Sequence, residues 1–488
     1  LHDPFLMQDM GEAVVRLEQA LLKQEKVLIF GDYDVDGTTA VSLMAAFLGP
    51  LDLDFETYIP DRYKEGYGLS KAGIDYAHAQ GMKLVIALDC GIKAVDLVTY
   101  ANDLGLDLII CDHHNPGPTI PDALAVLDPK RADCSYPYKE LSGCGVGFKL
   151  CQALCQRLEL GEEQWMPLLD LLAVSIAADI VPITGENRIL AHAGIQLINA
   201  NPRPGLLALI HSSGKQIGRL NITDLVFGLA PRINAAGRME HGKKAVEILC
   251  CSSYEEAQGL ASNININNED RRATDSKITE EALEQIRAQG WEDRSSTVVY
   301  QSDWHKGVIG IVASRLIENY YRPTVVFTKS GDKLAASARS VQGFDLYQAL
   351  ECCEDLLLQF GGHKYAAGMT MKEEQLDAFR EKFEAVVESQ ILPEQKQPQI
   401  DIDQVLKPEI IQERWLNIVQ RMEPFGPGNL QPTFASTCLE ADGMARTIGA
   451  DKNHLKLKIK AGKERFDCIG FGLGPWADKI NQDGKFQA

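Results

Sequence analysis

A chain of 488 residues, 45% hydrophobic and 24% charged, exceeds what one hydrophobic core supports and is expected to divide into roughly two to four domains. Its formal charge of −19 argues against a generally basic nucleic-acid coat and favours metal chemistry or anionic substrates bound locally, although a cleft can still focus field on DNA. The 12 cysteines include the adjacent pairs Cys250–Cys251 and Cys352–Cys353 but no repeated C-x-x-C, which disfavours a zinc ribbon and a disulfide scaffold. The chain opens LHDPFLMQDM, with no initiator Met, basic leader or long apolar run, so a cytoplasmic fragment without a membrane segment is expected.

From about residue 25 to 130, the β-type runs VLIF, LVIAL and LDLII alternate with helical patterns such as TTAVSLMAAFL, the rhythm of β-α-β units and a largely parallel sheet. Gly37 permits a sharp strand-to-helix turn, and Thr38 or Thr39 can cap the helix. Each run ends in acids: Asp32, Asp34 and Asp36 in GDYDVDG, Asp89 in LVIALDCG, and Asp112 with His113 and His114 in IICDHH. Open α/β sheets carry functional groups at the carboxyl edge of their strands, so the three clusters converge. Converging carboxylates repel unless a cation is present, and a mixed oxygen and imidazole shell suits Mn²⁺ or Mg²⁺ better than an all-thiolate site does.

Between about 145 and 250 the pattern turns helical and apolar, and Asp179 ahead of Val181-Pro182 reads from the residues alone as a helix terminus. GCGVGF (143–148) lacks the order of a dinucleotide site and reads as a close-packing or backbone-approach turn. Ser252-Ser253-Tyr254-Glu255 has capping-box spacing and opens a charged helical stretch to Gln289-Gly290, roughly 50 Å if continuous, with the poor helix former NININN as a candidate kink point. From about 295 to 390, STVVY, GVIGIVASRLI, PTVVFT and KLAASARS give a second, smaller α/β domain. After the polar linker LPEQKQPQ, the runs FASTCLE, HLKLKIKA and RFDCIGFG suggest a small β-barrel or sheet. Lys456, Lys458 and Lys460 share one strand face there, either a nucleic-acid groove or a solvated edge.

Taken in order, GDYDVDG, ALDCG, CDHH, AADIVP, RINAAGR, HKGVIGIVASRL, SARS and GGHKYAAG resemble the DHH/DHHA1 phosphoesterase family, and within it the RecJ-type branch specific for single-stranded DNA. The resemblance runs from about residue 27 to 435 and implies an α/β architecture of four parts. These are a DHH parallel-sheet domain with a helical lobe (1–250), a connecting helix (251–290), a DHHA1 substrate-binding domain (291–392) and an OB-like, incomplete nucleic-acid-binding β domain (393–488), with Phe425 and Phe434 as stacking candidates.

The resemblance further implies two Mn²⁺ or Mg²⁺ ions held by Asp34, Asp36, Asp89, His113 and Asp179, Asp89 bridging them. Asp32 and Asp112 would orient ligands, and His114 would face the attacking water or scissile phosphate. Ser337, Arg339, Gly361, Gly362 and His363, with Arg62 and Arg238, would hold the 5′ end of the strand. The implied activity is 5′ to 3′ removal of 5′-mononucleotides from single-stranded DNA in repair and recombination, with a helicase and a single-strand-binding protein as partners. Val35 stands where the family often has Ala, and a terminal extension and the end of the β domain are missing from the pattern. The competing readings are a DHH phosphodiesterase for short oligoribonucleotides or cyclic dinucleotides, and a non-catalytic single-strand-binding scaffold. Such small-substrate relatives end after the DHHA1 domain, so the residues beyond Pro398 point to a longer polymer.

Overall fold

The computed structural model describes residues 1–62, 64–239, 241–436, 439–449, 451–461 and 464–486. Residues 1–398 form one compact unit and 399–488 a second.

The first unit starts with α1 (Met10–Lys23) and then winds β1 (Val27–Gly31), α2 (Val35–Leu48), β2 (Phe55–Tyr58), α3 (Lys71–Ala79), β3 (Leu84–Leu88), α4 (Val95–Asp103), β4 (Asp107–Cys111) and β5 (Ala125–Leu127). All pairings are parallel, in the order β2-β1-β3-β4-β5. The continuous apolar runs are explained by burial on both faces. Val27 and Ile29 join the core under α1 and α2, while Leu28 and Phe30 face Ile74 of α3 and Val98 of α4. Because β1 lies between β2 and β3, the winding reverses at β1/β3, and a crevice opens at the carboxyl ends of those two strands.

A helical lobe follows: α5 (Gly143–Arg157), α6 (Leu169–Ala178), α7 (Gly185–Ala200), α8 (Pro204–Ser212), the short α9 (Ile222–Asp224), a π-helical turn Leu225–Leu229, α10 (Ala230–Met239) and α11 (Lys243–Cys250). Three local expectations change. Thr38 and Thr39 lie inside α2 with hydroxyls bonded back to the carbonyls of Asp34 and Val35, while the cap is Asp34, whose carboxylate accepts from the Gly37 amide. GCGVGF forms no separate turn: it opens α5, capped by Ser142, with Gly143 packed close against Asp89 as the close-packing reading expected. Gly37 is required by contact, since a Cβ there would lie 2.5 Å from the Asp32 backbone.

The connecting helix α12 (Tyr254–Ala288) runs unbroken for 35 residues, capped by Ser253, one residue later than the expected box. NININN forms no break: Asn265 accepts from Arg232 and donates to Glu269, and Ile264 packs into the first core. Ala257, Ala261 and Ile264 of α12 belong to the first core, and Ile278, Ala282 and Ile286 to the next. That second sheet contains β6 (Thr297–Tyr300), β7 (Thr324–Ser330), β8 (Lys333–Arg339), β9 (Gln359–His363) and β10 (Ala366–Met371) in the order β6-β7-β8-β10-β9. It is covered by α13 (Ile309–Asn319) on one side and by α14 (Leu346–Glu351) and α15 (Leu376–Gln390) on the other.

In the second unit, β11 (Gln404–Val405) pairs with β12 (Phe434–Ala435), and α16 (Glu413–Gln420) brings Trp415 onto Phe434, ring centroids 4.9 Å apart. A further sheet joins β13 (Leu439–Ala441), β14 (Arg446–Ile448), β15 (His454–Ala461), β16 (Glu464–Gly470) and β17 (Lys485–Phe486) over a core closed by Ile480 of α17 (Ala477–Asp483). Leu455, Leu457 and Ile459 point inward, so Lys456, Lys458 and Lys460 share the opposite face. That face is mixed in charge: Lys458 pairs with Asp467 at 3.7 Å and Glu440 sits opposite Lys460. Phe425 is half-buried, and Thr437 and Cys438 of FASTCLE lie outside the described residues.

Candidate metal centre

The acids gather where the sheet reverses. Asp32 follows β1, and its Oδ1 accepts from the Tyr33 amide at 2.6 Å. Asp36, in the first turn of α2, receives the Gly143 amide at 2.6 Å, the Cys144 amide at 2.9 Å and the Ser175 hydroxyl at 2.6 Å. The amide end of α5 therefore anchors this carboxylate. Asp89 follows β3 with φ +59°, a left-handed conformation that Asp tolerates better than most side chains. Ile180, next to Asp179, has φ +60°, which for a β-branched residue is real strain placed beside the cluster. Asp179 does terminate α6, as the residues alone suggested, and its carboxylate also reaches the cluster.

His113 is the hub. Its Nε2 lies 3.2 Å from Asp89 Oδ1, 3.5 Å from Asp179 Oδ2 and 3.8 Å from Asp36 Oδ2. Two sets, Asp89–His113–His114 and Asp36–His113–Asp179, each keep their ligand atoms within 4.8 Å. Asp34 is in neither set; its Oδ1 caps α2 by accepting from the Gly37 amide. Both oxygens of Asp89, both ring nitrogens of His113 and one oxygen each of Asp32 and Asp179 are buried without hydrogen-bond partners. Buried polar atoms in such numbers demand a partner, and acids plus imidazole are the donor set of a divalent cation.

Electrostatics agree. Burial, then repulsion from Asp36, Asp34 and Asp179, pushes the Asp89 carboxyl well above the usual range. Burial and neighbouring acids likewise raise Asp32, Asp34 and Asp179, while burial lowers His113. Asp112 behaves oppositely. Burial pushes it up, but the His114 hydrogen bond and charge outweigh that and bring it to about 2. Its oxygens take the Ile92 amide at 2.9 Å, the His113 amide at 2.7 Å and His114 Nδ1 at 2.7 Å, so Asp112 orients the two histidines.

Sequence reading missed several supporting groups. Ser175 and Ser142 share a 2.7 Å hydrogen bond beneath Asp36, and Ser142 was legible as a helix cap before GCG. Tyr67, half-exposed, brings its hydroxyl within 3.2 Å of His114 Nε2, and nothing in PDRYKEGYG announced it. Asp128 follows β5 as the other acids follow their strands. It is fully buried, and burial raises it to about 7. Its three-residue strand was too short to signal.

The candidate substrate residues form two groups. Arg62 lies over the Tyr33 ring, 4.9 Å from the centroid, and Gly237 lets α10 approach, since a Cβ there would meet the Tyr33 carbonyl at 2.6 Å. Arg238 donates to the Gly307 carbonyl at 2.7 Å. Burial and then its neighbours Arg62, Arg271 and Arg339 lower it to about 10. On the second sheet, register aligns Ser337, Gly368 and Gly361 in one row and Arg339, Ala366 and His363 in the next. All lie on one sheet face, and the glycines leave a bare floor beside Ser337 and Arg339. Gly310 of α13 covers that pair; a Cβ there would lie 2.8 Å from Ser337 Oγ and 3.0 Å from Arg339 Nη2. Gly362 has a different cause: its φ is +148°, and a Cβ there would collide with the Ala366 carbonyl across the β9–β10 hairpin.

Known proteins share this fold. Three family models fit in order, the DHH family N-terminal domain over 26–176, the DHHA1 domain over 294–389 and the RecJ OB domain over 402–488, which sets the fold and its centre in the DHH phosphoesterase class. Single-stranded-DNA-specific exonuclease RecJ of Bacillus subtilis is 41% identical over 98% of this chain and 60% of its own length. The same enzyme of Salmonella typhimurium is 34% identical over 97% of this chain and 85% of its own. The chain belongs to the RecJ family. Among solved structures, Thermus thermophilus RecJ in complex with Mn²⁺ superposes with a TM-score of 0.81 at 30% identity, covering 95% of this chain and 66% of that one. The chain thus spans about two thirds or less of the length of these B. subtilis and T. thermophilus proteins. Among the described residues no helix is long and apolar enough to cross a membrane.

Proposed function

We propose that this chain is a metal-dependent 5′ to 3′ exonuclease that degrades single-stranded DNA to 5′-mononucleotides. The observation that carries the reading is the set of buried, partnerless ligand atoms on Asp89, His113 and Asp179 at the β1/β3 reversal, with half-buried Arg62 over the ring of Tyr33, the residue between Asp32 and Asp34. Asp36, Asp89, His113 and Asp179 would hold the cations, with Asp34 adding its uncommitted oxygen; the manganese- and magnesium-bound RecJ structures of T. thermophilus support either metal. Bound there, such cations supply an activated water and neutralise charge on the phosphorus centre.

The protein groups do the rest. Asp112 fixes the His114 ring so that Nε2, beside the Tyr67 hydroxyl, faces the reacting phosphate and holds or passes a proton there. Asp36, locked by α5 and Ser175, keeps its place when the neighbouring acids repel it. Ser337 and Arg339 take the terminal 5′-phosphate, a hydroxyl and a guanidinium suited to that anion, with Gly361 and His363 on the same face and Gly362 turning the strand between them. Holding the end fixes the direction of degradation and a one-nucleotide step. The second unit, matched as a RecJ OB domain, supports a polymeric substrate over a dinucleotide. A cytoplasmic repair and recombination role, alongside a helicase and a single-strand-binding protein, fits this activity.

The test is Mn²⁺-supplemented digestion of end-labelled single- and double-stranded DNA. Mononucleotides should leave from the 5′ end of single strands, and Asp89→Ala should abolish release while strand binding persists. Preferential cleavage of dinucleotides, or full activity in Asp89→Ala, would overturn the assignment.

A further inference from the structure

The asparagine run of α12 is a costly choice for a helix, since asparagine is a weak helix former. Its burial shows another use. Asn268 and Asp275 are 1% and 0% exposed, and Arg271 lies between them at spacings that put all three on one helix face. Arg271 Nη2 donates to Asn268 Oδ1 at 3.1 Å, and its Nη1 lies 3.7 Å from Asp275 Oδ2. The other Asp275 oxygen is 2.8 Å from Arg315 Nε, which comes from α13.

One carboxylate thus serves two guanidiniums, and a positive charge is left over. The Asn268 amide nitrogen and Arg271 Nε are buried with no acceptor among the described residues. Partnerless buried donors are rare in native proteins, and an amide beside a guanidinium is a donor set for an oxyanion. The location fits as well. Arg271 lies in the field of Arg238, whose other cationic neighbours are Arg62 and Arg339. On α12 the cluster sits between Ile264, in the first core, and Ile278, in the core of the second sheet.

We propose that Asn268 and Arg271 form a second phosphate subsite, which takes an internucleotide phosphate of a single strand whose 5′ end is held at Ser337 and Arg339. Asp275 keeps Arg271 in position from below. The subsite rests on the exonuclease reading and adds a contact that makes affinity depend on strand length rather than on the end alone.

The experiment measures binding of 5′-phosphorylated oligothymidylates by the full chain in chelator, at several salt concentrations. Each lost single-strand phosphate contact lowers the slope of log affinity against log salt by about 0.7. Arg271→Gln should lose about that much slope, while the preference for phosphorylated over unphosphorylated 5′ ends stays at the wild-type ratio. Arg271→Lys, which keeps the charge beside Asp275, should retain the slope. Asn268→Asp, whose new carboxylate would pair with Arg271 and withdraw it, should reproduce the loss without depending on the Arg271→Gln protein folding. A wild-type slope in Asn268→Asp, or loss of end preference together with slope, refutes the subsite. A wild-type chain that binds no single strand refutes the exonuclease reading instead.

Discussion

Replacing Gly143 by alanine should disable the centre without replacing any of the residues proposed to hold the cations. The new Cβ would lie 2.5 Å from Asp89 Oδ1, 2.6 Å from Asp89 Cβ and 2.7 Å from Asp89 Cα, where ordinary contacts begin near 3.4 Å. Asp89 or the start of α5 must retreat by roughly 1 Å, and a displacement of that size at reacting groups costs about 10²-fold in rate. Because the Gly143 and Cys144 amides also hold Asp36, moving α5 disturbs a second acid at once. Overpacking should also lower stability by about 1–3 kcal/mol. Gly145→Ala is the control: a Cβ there meets nothing nearer than 3.4 Å, so rate and stability should hold. The assay is the initial rate of mononucleotide release from labelled single-stranded DNA in Mn²⁺, with strand binding in chelator and the thermal midpoint measured beside it. A folded Gly143→Ala protein with the wild-type rate would refute the claim that this glycine is held by close approach to Asp89.

Arg339→Ala should weaken the preference for a 5′-phosphate by about 10- to 100-fold, the range of a lost charge-assisted hydrogen bond, with a milder loss on unphosphorylated ends; equal losses on both would remove Arg339 from the terminal pocket. Acid should act through the cation. Asp34, Asp89 and Asp179 have raised carboxyls in the metal-free fold, so protons compete with Mn²⁺ and the metal concentration for half-maximal rate should rise as pH falls through that raised range. Stability of the chelated protein should run the other way. These groups bind more protons folded than unfolded above their ordinary value of 3.8, so the thermal midpoint should fall as pH rises through the raised range, and added Mn²⁺ should reverse the trend. A chelated midpoint that instead rises with pH would contradict the repulsion described for the cluster. Outside the cluster, Lys149 and Glu186 form a buried pair at 2.8 Å, with Tyr136 also donating to Glu186. Lys149→Met should destabilise by about 3–5 kcal/mol in denaturant titration with little change in metal requirement, because it strands a buried carboxylate.

The amino-acid sequence by itself determined the ingredients. Continuous apolar runs specify doubly buried parallel strands, and an acid directly after such a run lands at the carboxyl edge, which is why Asp32, Asp89 and Asp112 could be placed from one dimension. The alternation in HLKLKIKA likewise fixed which face its lysines share. Strand order was decided only by tertiary structure, since the same β-α-β rhythm permits several windings, and only β2-β1-β3-β4-β5 makes β1 and β3 neighbours at the reversal. The partners of Asp36 come from more than 100 residues away, the amides of Gly143 and Cys144 and the hydroxyl of Ser175, and no local periodicity carries such a pairing. The same holds for Asp275 of α12, whose ion pair with Arg315 exists because α12 and α13 pack together around one core. Local propensity fixes what a segment can become, whereas burial and close approach decide which polar groups must find each other.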